Sequence, residues 1–222
     1  MPRNKYPEET RQKIIETSLR LFVEKGYDET TVLDIVANLG GMTRGAFYHH
    51  FKNKEEILEA VFTSEDFAST AFQRAKAAKV ANGLERLRLA LKNALAENTK
   101  TQYQTNATRL AIQLMMHPRF LAEKVKGDIQ SAAEIEPFIA EAMADGSLPQ
   151  GNPKLLAQLF MVLVNFWMVP TIFPVESAEE IMAKGEMAMK ILEAVGFPVL
   201  DDELEAAFDH LLETVLMPNE VE

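Results

Sequence analysis

The run Gly40-Gly41-Met42-Thr43-Arg44-Gly45 sets a hydroxyl and a guanidinium beside a flexible turn. That combination suits contact with a nucleic acid. Thr43 can cap a short helix and leave its first N–H groups facing a phosphate or a base edge. Arg44 follows at the leading end, where a guanidinium can donate two parallel hydrogen bonds to guanine. An ordinary solvated charge is the alternative. Gly45 carries no side chain to hold the helix away from DNA. Tyr48 and His49 lie off the face that Phe47 and Phe51 share at a four-residue interval, within reach of backbone phosphates, although Tyr48 also reads as packing. Lys52 and Lys54 add positive charge beyond the helix, and Thr31, capping the helix before it, completes the candidate contact set.

Positioning these groups requires three short helices and a tight turn. Pro7, Glu8 and Glu9 favour a helix start. Ile15, Leu19, Phe22 and Val23 then fall on one face of a 3.6-residue period, and Gly26 supplies the stop. Thr31 with Asp34 reads as a capping box opening a second helix, Val32 to Leu39. Ala37 is small where the two motif helices would approach, and Met42 is the apolar turn residue that plugs the space between them. The third helix runs from the Thr43 cap to about His50. Asn53 with Glu56 opens a fourth, with Ile57, Leu58, Val61 and Phe62 on its inner side. This is the spacing of a helix-turn-helix.

Further helices are expected at about 84–98, 103–116, 119–145, 153–169, 178–194 and 202–216, with glycines and prolines from Gly83 to Pro218 near the breaks. Ser177 with Glu180 repeats the cap-and-acid spacing. Residues 63–82 contain no glycine or proline, so the fourth helix is expected to extend through them to about residue 80. No segment alternates as a strand would. The reading is all-α: a three-helix DNA-binding domain over residues 1–54, linked through the fourth helix to a larger helical domain over residues 55–222.

The net charge of -10 is unevenly spread. Residues 1–54 hold nine Lys/Arg and seven Asp/Glu, whereas the remainder holds fourteen and twenty-six. A locally basic module on an acidic body is compatible with DNA binding, because only the contacting face must be positive. Cysteine is absent, which excludes disulfides and thiolate chemistry. No apolar run after Met1 resembles a signal peptide, so a cytoplasmic protein is expected. The apolar stretch Leu155 to Phe173 is interrupted by Asn165 and Pro170 and falls short of the roughly 20 continuous residues of a membrane span.

Enzyme chemistry finds no foothold. There is no Glu-x-x-His, His-Glu-x-x-His, Gly-x-x-x-x-Gly-Lys or Gly-x-Ser-x-Gly. His49 and His50 diverge by about 100° on a helix and make a poor metal pair. Asp201-Asp202-Glu203 follows Pro198 and reads as the acidic start of a helix rather than as a Mg²⁺ site. No catalytic residue, metal or cofactor is therefore expected.

The stretch TTVLDIVANLGGMTRGAFYHHFKNKEEILEAVF, preceded by RQKIIETSLRLFVEKGYDETT, resembles the N-terminal domain of TetR-family transcriptional regulators over about residues 8–62. Gly40 departs from it, standing where alanine is common. The resemblance implies an all-helical homodimer that represses transcription from a palindromic operator in double-stranded DNA. It also implies release when a small molecule enters the body and moves the fourth helix; the apolar, aromatic-rich body would suit a hydrophobic or amphipathic one. Candidate ligand residues are Arg109, Gln113, Met116, Phe120, Phe138, Phe166 and Trp167, with Lys124 a further polar anchor, although Met and aromatic residues at helical spacing are more often core. The resemblance places the dimer interface on the last long helices, 153–169 with 178–194 or 202–216. Candidate interface residues are Leu155, Leu159, Val162, Phe166, Met182 and Met189.

Overall fold

The computed structural model describes residues 7–63 and 69–215, which form helices, turns and loops without a strand. α1 (Pro7–Lys25) begins at its proline and two glutamates and buries Ile14, Ile15, Leu19 and Phe22. α2 (Val32–Ala37) opens with the full capping box: the Thr31 hydroxyl accepts from Asp34 N, and the Asp34 carboxylate accepts from Thr31 N. α3 (Arg44–Tyr48) is capped by Thr43, whose hydroxyl accepts from Ala46 N at 3.1 Å. α4 (Lys54–Thr63) follows, with Asn53 accepting from Glu56 N.

Both motif helices are shorter than expected. α2 stops at Ala37 rather than Leu39 because Asn38 closes the last turn, its N–H reaching the carbonyls of Asp34 and Ile35. Ala37 itself is exposed, so it does not mark the helix approach; Ile35 is the buried residue of α2. α3 ends at Tyr48, and His49 and His50 lie in the following turn. The intervening loop turns on Gly40 at φ 63° and Gly41 at φ 93°, two successive left-handed residues. Alanine at Gly40 would be strained there.

The body contains α5 (Ser69–Ala77), α6 (Gly83–Glu97), α7 (Gln102–Gln113), α8 (Pro118–Ala144), α9 (Pro153–Val162), α10 (Ala178–Ala194) and α11 (Asp202–Val215). Within 63–82, the span expected to extend the fourth helix, the described residues form α5 over Ser69–Ala77, short of the expected end at about residue 80. Residues 64–68 lie outside the described residues, and α5 ends at Ala77. Arg86 terminates it by donating to the carbonyls of Ala75, Lys76 and Ala78. Asn82, in extended backbone, then caps α6. Gly83 lets α6 touch α8 there, since a Cβ would come within 2.6 Å of Ala142 backbone. Residue 216 and Pro218, expected at the end of the last helix, lie outside the described residues.

The expected helix 153–169 also changes character midway. After Val162 the chain adopts a π turn, Leu163–Trp167, with Met168 N donating to the Leu163 carbonyl at 3.1 Å. Such turns rotate the side chains that follow and recur at functional sites. The Asp201-Asp202-Glu203 run is a helix start, as expected: Asp201 accepts from Leu204 N at 2.8 Å.

Two apolar clusters organise the molecule. One centres on Phe72, Leu87, Ile135, Phe138, Ile139 and Phe197 of the body. The other joins Ile14, Leu19, Phe22, Ile35, Phe47 and Phe51 to Ile57 and Val61 of α4, and also to Ala107, Leu110, Leu114 and Phe120 of α7 and α8. The helix-turn-helix is therefore packed against the body through α4 and α7 rather than tethered to it. Among the described residues, no helix is long and apolar enough to cross a membrane.

Candidate nucleic-acid interface and interior cavity

α3 is too short to be stable alone. It is held by Phe47, fully buried beneath it, with Phe51 close behind at 6.5 Å between ring centroids. That anchoring leaves Thr43, Arg44, Gly45, Tyr48 and His49 on the exposed side. The Arg44 guanidinium lies over the Tyr48 ring at 5.6 Å, and Tyr48 stands edge-on to Phe47 at 5.5 Å. The stack holds a cation at the front of α3 without neutralising it. A Cβ on Gly45 would meet nothing closer than the Thr43 hydroxyl at 4.0 Å, so that surface is open to an incoming groove.

Thr31 is exposed but committed to the α2 cap. Its hydrogen bonds, and then the Lys25 ammonium at 2.9 Å, hold the Asp34 carboxyl well below the usual carboxylate range. Lys52 is exposed and pairs loosely with Glu56 at 3.3 Å. Lys54 is placed differently from its neighbours. Its ammonium turns back to donate to the carbonyls of Tyr27 at 2.7 Å, Asp28 at 3.0 Å and Thr30 at 3.4 Å, over the Tyr27 ring. It fastens α4 to the loop after α1. Arg11, not singled out in the sequence, stacks on the Phe51 ring at 4.9 Å and adds a cation beside α3.

Behind this head, α4, α6, α7, α8, the π turn, α10 and α11 enclose a cavity of about 1370 Å³. A smaller hollow of about 320 Å³ shares Phe62, Leu95, Asn165 and Met168 with it. The α4 wall of the larger cavity consists of Glu55, Leu58, Glu59 and Phe62, which fall at i, i+3, i+4 and i+7 on one helix face. Tyr27, from the loop after α1, reaches the same cavity.

Of the residues expected to meet a ligand, Phe120 lines the cavity, paired with Phe62 at 4.9 Å. The others are placed elsewhere. Phe138 is buried against Phe72 in the body core. Gln113 and Met116 are exposed. Arg109 donates to the Thr214 carbonyl at 2.6 Å. Trp167 packs on Phe173 at 5.6 Å in the π turn, and Phe166 beside it is half-buried. Lys124, the further anchor, does line the cavity, together with Asp128 and Asn165, neither of which composition had marked. Of the interface candidates, Leu155 at 60%, Val162 at 52% and Met182 at 64% are exposed, whereas Leu159 and Phe166 are half-buried and Met189 lines the cavity.

A capped α3 presented by a buried aromatic pair, on a helical body hollowed behind α4, defines a helix-turn-helix protein with an interior cavity. Residues 14–61 match the family model described as bacterial regulatory proteins, tetR family. The segment is similar to the HTH-type transcriptional regulator SrpR of Pseudomonas putida, 51% identical over 57 residues, which is 26% of this chain and 26% of that one. The chain thus matches about a quarter of that relative's length. The whole fold is similar to the SmeT–triclosan complex, with a TM-score of 0.64 at 24% identity over 87% of this chain and 95% of that one. It is also similar to AibR solved with isovaleryl coenzyme A and operator DNA, with a TM-score of 0.53 at 23% identity, covering 85% and 98%. Residues 14–61 are thus similar to the DNA-binding segment of the tetR family of bacterial regulatory proteins, and the fold of the chain is similar to these solved structures.

Proposed function

We propose that this protein is a cytoplasmic homodimeric transcriptional regulator, a repressor rather than an enzyme. It binds a palindromic operator through α3 and releases it when a small molecule fills the cavity. Residues 1–54 read DNA in this scheme, and residues 55–222 bind the effector and dimerise. The observation that carries the reading is the shared wall: Glu55, Leu58, Glu59 and Phe62 of α4 and Tyr27 of the head all border the cavity. An occupant therefore presses on the helix that also packs Ile57 and Val61 into the head's core. Thr43, Arg44, Gly45, Tyr48, His49 and Lys52 supply the DNA face.

The solved relatives support the two partners, one holding operator DNA with isovaleryl coenzyme A and the other triclosan. Leu155 and Val162, seven residues apart on one exposed face, and Met182 on α10 offer apolar surface for a second copy. The test is a gel shift of the purified protein on DNA upstream of its own gene across a salt series. A specific complex that weakens with salt and protects a palindrome supports the reading. Failure there, followed by failure of a random-oligonucleotide selection, overturns it.

A further inference from the structure

Among the described residues, acids outnumber cations around the cavity. Glu55 and Glu59 come from α4, Glu123 and Asp128 from α8, Glu186 from α10, and Glu205 and Asp209 from α11. Among the described residues, Lys124 and Lys126 line the same wall, Lys126 pairing with Glu123 at 2.6 Å, while Lys190 pairs with Glu186 at 3.7 Å. Glu123 and Glu186 have largely exposed side chains and stand at the rim. The interior between them is apolar and aromatic, including Phe62, Phe72, Phe120, Phe160 and Phe208. A low-dielectric cleft lined by one sign of charge concentrates the opposite sign within it. Aromatic faces favour cations as well.

Asp128 adds a built polar point to this wall. It keeps only 9% of its surface, and the Lys124 ammonium and the Asn165 amide, at 2.9 Å, both converge on Oδ1. Asn165 reaches it from the π turn. The second oxygen, Oδ2, is buried with no hydrogen-bond partner. Burial raises this carboxyl above its ordinary value against the opposing pull of Lys124. Nδ1 of His117, another cavity-lining residue, is also buried without a partner. An orphaned carboxylate oxygen is a demand for a donor.

We infer, on the basis of the effector reading above, that the cavity selects amphipathic organic cations. Asp128 receives the N–H-bearing head group, and the hydrocarbon part lies among Phe62, Phe120, Phe160 and Met189. The Lys124 ammonium is already committed to Asp128 Oδ1, so an entering carboxylate or phosphate must compete with that bond and meets the surplus of acids. A neutral alcohol can donate to Oδ2 but gains nothing from the rim.

The discriminating experiment is isothermal titration of the full-length protein with decylamine, decanol and decanoate, all below their micellar concentrations. These share one chain and differ in head-group charge. Decylamine, protonated at neutral pH, is expected to bind at least about tenfold more tightly than either of the others, the scale of one charge-assisted contact. Asp128→Asn is expected to abolish that preference while decanol binding persists. Should that variant fail to fold, the rim variant Glu123→Gln/Glu186→Gln is expected to weaken decylamine binding and flatten its salt dependence. Equal or tighter binding of decanoate or decanol overturns the cation assignment and leaves the effector cavity standing. So does an unchanged preference in folded Asp128→Asn or in the rim variant. Absence of binding by all three overturns the effector reading with it.

Discussion

Tyr27 and His117 meet edge-on, 5.8 Å between ring centroids, where the loop after α1 touches the start of α8. Both residues line the cavity. Tyr27 also packs on Phe22 at 5.0 Å and sits beneath the Lys54 ammonium, which holds the Tyr27 carbonyl. One aromatic contact thus joins the cavity wall to the element that seats α4 against the head. Its neighbours on both sides are fixed by packing, so a displacement at His117 has a short route to the head.

His117→Ala tests that route. The variant removes the ring while keeping the backbone that starts α8, where no side-chain cap is made. Its loss is expected to lower stability by about 0.5–1.5 kcal/mol, the worth of an aromatic contact. Operator affinity without effector should be retained. The affinity ratio with and without effector is expected to shrink toward one, since coupling free energies in such proteins are only about 1–3 kcal/mol. An unchanged ratio in paired gel-shift titrations would remove His117 from the route.

Gly41→Ala and Gly45→Ala should fail in different ways. Gly41 sits at φ 93° with space around it, so the penalty for alanine is purely backbone strain, about 1–2 kcal/mol. Thermal unfolding should detect it. Gly45 has no such strain, and a Cβ there meets nothing nearer than 4.0 Å. Its alanine variant should melt like the parent yet bind operator more weakly, because the added methyl stands between α3 and the groove. Loss of stability in Gly45→Ala, or none in Gly41→Ala, contradicts this account.

The head was legible in the sequence because its signals are local. Thr31 with Asp34, Thr43 before Arg44, and Phe47 with Phe51 each act within four residues. The cavity depends on elements far apart in the chain. Asp128 resembles any acid four residues after a lysine until the π turn brings Asn165 to it from 37 positions away. Phe138 is aromatic and central, as a ligand contact would be, but it faces Phe72 in the core. The face Glu55, Leu58, Glu59 and Phe62 was present as a helical period; what the period cannot say is that a hollow, rather than a neighbouring helix, stands opposite it. Lys54 looked like another phosphate contact because only the folded loop supplies the three carbonyls that claim it.

Arg44→Ala should separate recognition from folding. The side chain is exposed and its partner in the structure is the face of Tyr48. Removing it should cost about 1–3 kcal/mol of specific binding per half-site and leave the melting temperature unchanged. Thr43→Ala should instead lower both, since it deletes a cap worth about 1 kcal/mol. Equal operator affinity for Arg44→Ala in a gel shift would dismiss its role.

Lys52 and Lys54 are two residues apart and should respond in opposite ways to removal. Lys52 is exposed and makes only a loose pair with Glu56, so Lys52→Ala should leave stability intact. If it contacts a phosphate, the slope of log affinity against log salt should become shallower by about one. Lys54→Met should do the reverse. It strands the carbonyls of Tyr27, Asp28 and Thr30 and removes the cation over the Tyr27 ring. Partial access of water to those carbonyls limits the penalty to about 1–2 kcal/mol. The salt slope should stay as it was, because the ammonium faces the protein rather than the groove. Chemical denaturation paired with binding across a salt series reads both quantities on the same samples. A shallower slope without loss of stability in Lys54→Met would place that ammonium on DNA.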